Sequence, residues 1–136
     1  MTPEPNRPPL AVVQDMYEAF GASDEARLRA LIAADVEWVQ CPGFPGGAHR
    51  HGIDSVLDGV LRGNKARWTD FRLQLDEFLE AGDRVVVIGS YTGSHATTGR
   101  DMRAVFTHVY DVTEGQITRF RQFCDTWPMV EAAQVG

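Results

Sequence analysis

Two cysteines, Cys41 and Cys124, are too few in 136 residues for a multi-bridge scaffold. With no apolar export signal in the opening residues, they are expected to be reduced thiols of a cytoplasmic protein. Basic residues are also in deficit: 13 Lys and Arg stand against 19 Asp and Glu, a formal net charge of -6. Those basic residues are scattered rather than gathered into a stripe, which argues against a nucleic-acid partner. No apolar run approaches the ~20 residues that cross a bilayer, so no membrane partner is expected. There is no internal repeat and no low-complexity tract.

What is present is ordinary for one soluble domain: 43% hydrophobic and 24% charged residues around a single core. Residues 1–9, "MTPEPNRPP", read as a flexible proline-rich lead, and residues 10–136 as the domain. Leu10, Val13, Tyr17 and Phe20 recur at helical spacing and predict a helix over Pro8 to Phe20, with Gly21 as its C-cap. Ser23 then suits the N-cap of a second helix. Asp24 and Glu25 fall in its first turn, and Leu28, Leu31 and Ile32 on its buried side. "DVEWVQ", Asp35 to Gln40, reads as a strand. "CPGFPGGAHRH" reads as a loop, either a lid or a plain connection. Ile53, Val56, Leu57, Val60 and Leu61 give the clearest amphipathic pattern, a third helix ending at Gly63.

The remainder reads as antiparallel strands joined by short turns. Phe71, Leu73 and Leu75 alternate with polar residues. Arg84 to His95, Arg100 to Val112 and Gln116 to Cys124 follow, and a short last helix holds Met129 and Val130. Helices packed on one face of such a meander make an α+β layer structure. If the sheet curves, its concave face and the helices enclose a pocket.

Two stretches carry a family likeness. "HVYDVTEGQITRFRQFCDTW" resembles the His-bearing strand, acidic-Gly turn and Asp-Thr strand end of SnoaL-like proteins. "VVQDMYEAFGASDEARLRALIAADVEWV" resembles the opening helices and first strand of the wider nuclear transport factor 2-like superfamily. The likeness covers nearly all of residues 10 to 130. It implies three N-terminal helices on a strongly curved, mainly antiparallel sheet: a cone with an internal pocket. That superfamily includes ketosteroid isomerases, limonene epoxide hydrolases and polyketide cyclases, so the fold alone does not fix the chemistry.

Several family sites are missing. The isomerase Asp near the end of the first strand is replaced by "VQCP". The isomerase acid on a later strand falls near Thr107, and the isomerase Tyr of the first helix near Met16, beside Tyr17. The hydrolase pairs an Arg with an Asp two residues on, but Arg103 is followed by Val105. What matches is the SnoaL-like terminal Asp, at Asp125, and a strand His, at His108. The resemblance implies that Asp125 is a general acid or base on a ring-bearing substrate.

The turn between the last two strands decides which way His108 points. A two-residue type I′ turn at Glu114-Gly115 needs positive φ at both, which suits Glu poorly. A type I turn with Gly115 as the bulge residue pairs Val112 with Gln116, His108 with Phe120 and Phe106 with Gln122. His108 then shares a face with Phe106, Tyr110, Phe120, Gln122 and Cys124. Thr107, Arg119 and Arg121 fall on the other face, toward solvent or a partner subunit.

Asp125 has a second reading as a helix cap. Pro128 offers no N–H, so Thr126, reaching Met129, is the better-placed cap. Tyr17, Trp38, Phe44, Phe106, Tyr110, Phe120 and Gln122 are the candidate ligand contacts, each with core packing as the plain alternative. Gln122 either orients a substrate or satisfies His108. His49 and His51 form an H-x-H pair, but a zinc site needs three or four ligands and only Cys41 lies near. Cys124 reads as a small apolar filler.

The leading expectation is therefore a cofactor-free enzyme acting on a small apolar ring compound by isomerisation, cyclisation or dehydration. Asp125 would be its base, and His108, with Tyr17, would stabilise an enolate oxygen. The alternatives are a non-catalytic small-molecule binding module and a structural dimer. The resemblance implies a homodimer in each case.

Overall fold

Two prolines lead the chain into its first helix. A computed structural model of the protein describes residues 5–134. Helix α1, Pro9–Gly21, starts on Pro9, whose missing N–H is no loss in a first turn. It buries Val12, Val13, Met16 and Ala19. Gly21 stays helical, so the helix runs one residue further than expected. The reversal falls on Ser23, at φ +52°, where the Asp24 N–H bonds the Ala19 carbonyl and the Ser23 N–H that of Phe20. Ser23 is thus spent on ending α1. Asp24 caps α2, Glu25–Leu31, by accepting from the Arg27 N–H at 3.2 Å.

Strand β1, Ile32–Val39, follows at once. The "HRH" triplet, expected in a loop, forms an edge strand, β2, His49–His51, paired antiparallel with β1. The third helix does not end at Gly63. It runs as α3, Ile53–Val56, a π-helical stretch, Leu57–Arg62, and α4, Gly63–Arg67. π-helical turns are rare and recur at functional sites.

The long strands are β3, Trp68–Ala81, β4, Arg84–His95, β5, Asp101–Thr113, and β6, Gln116–Cys124, with α5, Trp127–Ala133, after them. The sheet order is β2-β1-β6-β5-β4-β3; β1 runs parallel to β6 and the other pairs are antiparallel. The sheet is α+β in setting, mixed, strongly curved and not closed. Bulges along β3 help bend it. At one of them sits Gly89, where a Cβ would lie 2.1 Å from the Gln74 carbonyl oxygen and 2.9 Å from the Phe106 ring.

The β5–β6 hairpin departs from expectation twice. The turn is type I′, with Glu114 at φ +50° and Gly115 at φ +75°, and it pairs Thr113 with Gln116. That register alone would set His108 opposite Arg121. A bulge then shifts it: Val112 pairs with Ile117 but Asp111 with Arg119, leaving Thr118 as the extra residue. Beyond the bulge His108 lies opposite Gln122, Phe106 opposite Cys124 and Tyr110 opposite Phe120. The pairing is two residues from the expected one, so the face is the expected one.

The core lies between α1, α2, α3 and the concave face of the sheet, around Met16, Leu28, Ile32, Val36, Leu57 and Ile117. Trp38 stacks on Phe120 at 4.1 Å and 23°, a contact worth roughly 0.5–1.5 kcal/mol beyond the area it buries.

Candidate functional site

Helix α1 supplies Tyr17, β1 supplies Trp38, β4 supplies Tyr91, and β5 and β6 supply His108, Tyr110, Phe120 and Gln122. All line one cavity of about 230 Å³ between the sheet and the helices. Phe44, from the loop between β1 and β2, also lines it. Phe44 is folded inward and packs on Tyr91 at 5.7 Å. A glycine is needed just before it. Gly43 sits at φ +88°, and a Cβ there would meet the Thr126 hydroxyl at 2.9 Å.

Two expected residues are not in this lining. Phe106 is buried behind the imidazole, stacked on His108 at 3.9 Å and 14°. Asp125 is exposed, and its backbone N–H bonds the Val105 carbonyl at 3.0 Å. Strand alternation explains the placement. If Phe120 and Gln122 face inward, Arg121, Phe123 and Asp125 face outward. The structure therefore does not bring Asp125 and His108 to one cavity. Nor does Thr126 cap α5 with its side chain. Its backbone carbonyl accepts from Met129 and Val130 instead. Among the described residues no Asp or Glu lines the cavity.

The polar groups at the cavity wall form one chain whose direction can be worked out from its fixed end. The backbone N–H of Cys41 must donate, and it donates to Gln122 Oε1 at 3.1 Å. Gln122 Nε2 then donates to the Tyr91 hydroxyl at 2.9 Å. The Tyr91 hydroxyl is buried with no other acceptor among the described residues, so its proton goes to His108 Nε2 at 2.5 Å. A neutral imidazole with Nε2 accepting carries its proton on Nδ1. That N–H donates to the Tyr17 hydroxyl at 2.6 Å. Tyr110 also donates to Tyr17, at 2.8 Å. Tyr17 therefore accepts twice, and its own proton has no acceptor among the described residues. A side chain on the cavity wall is left with one donor to give.

The ionisation behaviour agrees. Burial pushes the His108 pKa well below the ordinary histidine value, which keeps the ring neutral. Burial raises the Tyr17, Tyr91 and Tyr110 hydroxyls, so all three stay protonated donors. Burial likewise pushes the Cys124 thiol up to about 12. Both cysteines are free, and Cys41 Sγ lies 3.5 Å from Gln122 Oε1.

The neutral His108 has a consequence for stability. The unfolded chain takes up a proton at this residue near pH 6.5. The folded chain, with its lowered pKa, does not. Stability from this group is complete above pH 6.5 and falls as pH drops below it, by up to about 1.4 kcal/mol per pH unit. Urea midpoints between pH 8 and pH 5.5 should show this slope in the wild type and lose it in His108→Gln.

Tyr91, Gln40, Asn64 and Lys65 are lining residues the sequence reasoning passed over. Alternation would have found Tyr91, since Val85, Val87, Gly89 and Tyr91 all fall on the His108 side of β4. Nothing in the pattern marked Lys65, which lies past the glycine expected to end the helix. His49 contacts Glu37 at 3.2 Å and its ring lies 4.8 Å from that of His51. Among the described residues no group of three or more His, Cys, Asp or Glu converges as metal ligands do. No helix among them is long and apolar enough to cross a membrane.

Residues 13–120 match the family model of the SnoaL-like domain. Solved structures agree over the whole fold. A nuclear transport factor 2-like protein from Burkholderia thailandensis E264 is 33% identical with a TM-score of 0.89, covering 95% of this chain and 99% of its own. IdmH from Streptomyces antibioticus, a candidate polyketide cyclase, is 26% identical with a TM-score of 0.77, covering 95% and 100%. TerC, crystallised with polyporic acid, is 26% identical with a TM-score of 0.80, covering 93% and 98%. No curated protein matches the chain in sequence.

Proposed function

The chain belongs to the SnoaL-like family of nuclear transport factor 2-like proteins, and from that premise we propose that it is a cofactor-free enzyme acting on a flat, largely apolar ring ketone. The observation that carries this reading is the unspent Tyr17 proton at the end of the chain from Cys41 to His108. A substrate carbonyl seated there accepts from Tyr17. As an α-proton leaves, charge builds on that oxygen. His108 and Tyr110, both donating to Tyr17, polarise its O–H toward the developing enolate.

Among the described residues no carboxylate lines the cavity, so Asp125 has no part in this step. The α-proton passes to water at the cavity mouth. This suits substrates already acidic at carbon, such as those with a second carbonyl one atom away. Isomerisation, cyclisation and dehydration all proceed through such an enolate. The likeness to IdmH and to TerC with its polyporic acid supports a ring-bearing, oxygenated substrate.

A second reading is a binding module without turnover. It is favoured by the mutual hydrogen bonding of nearly every polar group in the wall. Solvent-deuterium exchange at the carbon between the two carbonyls of 2-acetyl-1-tetralone, followed by proton NMR, separates the two. Exchange well above the buffer rate, lost in Tyr17→Phe, supports the enzyme. Binding without exchange leaves the module.

The fold also offers a surface for a second copy. Val105 and Phe123 are exposed on the outer face of the sheet and Trp127 at the start of α5, 50%, 54% and 58% accessible. Clustered apolar side chains of this size mark an interaction surface. The expected result is a homodimer by light scattering at micromolar concentration, shifted toward monomer by Phe123→Glu. A monomeric wild type rejects it.

A further inference from the structure

We propose that Lys65 is a specificity residue that selects ring compounds carrying an anionic group in addition to the carbonyl held by Tyr17. The inference rests on the cavity reading above and names the substrate class for that site.

Three observations carry it. First, Lys65 is the only formally charged side chain among the described residues of the lining. Its ammonium donates to the Ser23 hydroxyl, and no carboxylate pairs with it among the described residues. The nearby acids are engaged elsewhere: Glu25 and Asp58 both bind Arg62, and Glu18 binds Arg27. Lys65 is exposed, so it stands at the solvent-facing rim of an otherwise mostly apolar wall, where a cation without a carboxylate partner can receive an anion.

Second, the helix is built to bring it there. The π-helical Leu57–Arg62 leads without a break into Gly63–Arg67, and Gly63 keeps helical angles of φ -63° and ψ -44°. Asn64 and Lys65 therefore continue the wall begun by Val60 and Leu61. A helix ending at Gly63 would have no lysine there.

Third, the two glutamines of the lining offer no free acceptor. Tyr17 has its spare proton. The Gln122 and Gln40 carbonyls are already taken, the latter by the Ala48 N–H and Arg50 Nε at 3.2 Å each. Such a wall is complementary to a ligand whose edges are acceptors: carbonyl oxygens on the ring and a carboxylate or enolate toward Lys65.

The test uses two probes of one shape, 6-carboxy-1-tetralone and its neutral 6-carboxamide, with affinity read from the quenching of tryptophan fluorescence. The expected result is roughly two- to fivefold tighter binding of the carboxylate by the wild type. Lys65→Met should remove that preference by weakening the carboxylate alone, and Lys65→Arg should keep it. The preference should also shrink as salt rises. Equal affinity of the two probes in the wild type, or equal weakening of both in Lys65→Met, overturns the role of Lys65 while leaving the cavity reading in place. Binding of neither probe overturns both.

Discussion

Replacing Tyr17 with phenylalanine should lower the rate constant for α-deuterium exchange by about 10²–10³-fold while changing ketone affinity by less than about threefold. The large effect on rate follows from what the hydroxyl does. It touches the substrate oxygen most strongly when that oxygen carries charge, so its loss falls on kcat rather than on binding. The small effect on affinity follows from the ring. Tyr17 packs edge-on against Phe78 at 6.2 Å and Tyr110 at 5.8 Å, contacts a phenyl ring can keep. The variant also strands two donors, His108 Nδ1–H and the Tyr110 hydroxyl, both now facing Tyr17. Each costs about 1–3 kcal/mol if it finds no water, so a lowered urea midpoint should accompany the lost rate. His108→Gln checks the attribution, because it removes a donor to Tyr17 but leaves the Tyr17 hydroxyl. Its rate should fall less than that of Tyr17→Phe. Exchange at the wild-type rate in Tyr17→Phe would refute the role.

Hydrophobic periodicity and turn chemistry carried the fold a long way. The α1 stripe, the strand alternation and the order of elements all lie in local pattern, and local pattern is what a sequence displays. The His108 face was legible for a less secure reason. Glu114 does adopt the positive φ that turn rules disfavour, and the bulge at Thr118 restores the parity that this turn alone would have reversed. Both events depend on how β6 fits between β1 and β5, a tertiary matter.

The placement of Asp125 differs in kind. The alternation that turns Phe120 and Gln122 inward also turns Asp125 outward, so the information was in the strand. A family likeness pointed the other way, and alternation along the backbone prevailed. Lys65 was out of reach because Gly63 reads as a helix end. Only the packing of the helix on the cone shows that the glycine is passed through. The direction of the hydrogen-bond chain was equally hidden, since it begins at a backbone N–H, that of Cys41, which no side-chain pattern can mark.

That direction can be reversed with one substitution. In Gln122→Glu, both oxygens of an ionised carboxylate at position 122 must accept. One still takes the Cys41 N–H, and the other now takes the Tyr91 proton. Tyr91 must then accept from His108 Nε2–H, which moves the imidazole proton from Nδ1 to Nε2. The bare Nδ1 accepts from Tyr17, and the proton that served the substrate turns into the wall. Exchange should fall about as far as in Tyr17→Phe, although every side chain that touches the substrate oxygen remains. A protonated carboxyl at the same position behaves differently. Its O–H donates to Tyr91 as the amide did, and the wild-type direction returns. Burial raises the pKa of such a carboxyl above the ordinary glutamate value of about 4.3, so the switch should lie within reach of a pH titration. The expected result is a variant active at low pH and inactive at high pH. Its His108 ¹⁵N shifts should pass from the Nδ1–H to the Nε2–H tautomer over the same range, while the wild type holds Nδ1–H throughout. A variant whose introduced carboxyl is ionised by its ¹³C shift, yet keeps the Nδ1–H tautomer and its full exchange rate, would show that the chain has no fixed direction, and that the donor to the substrate lies elsewhere in the cavity.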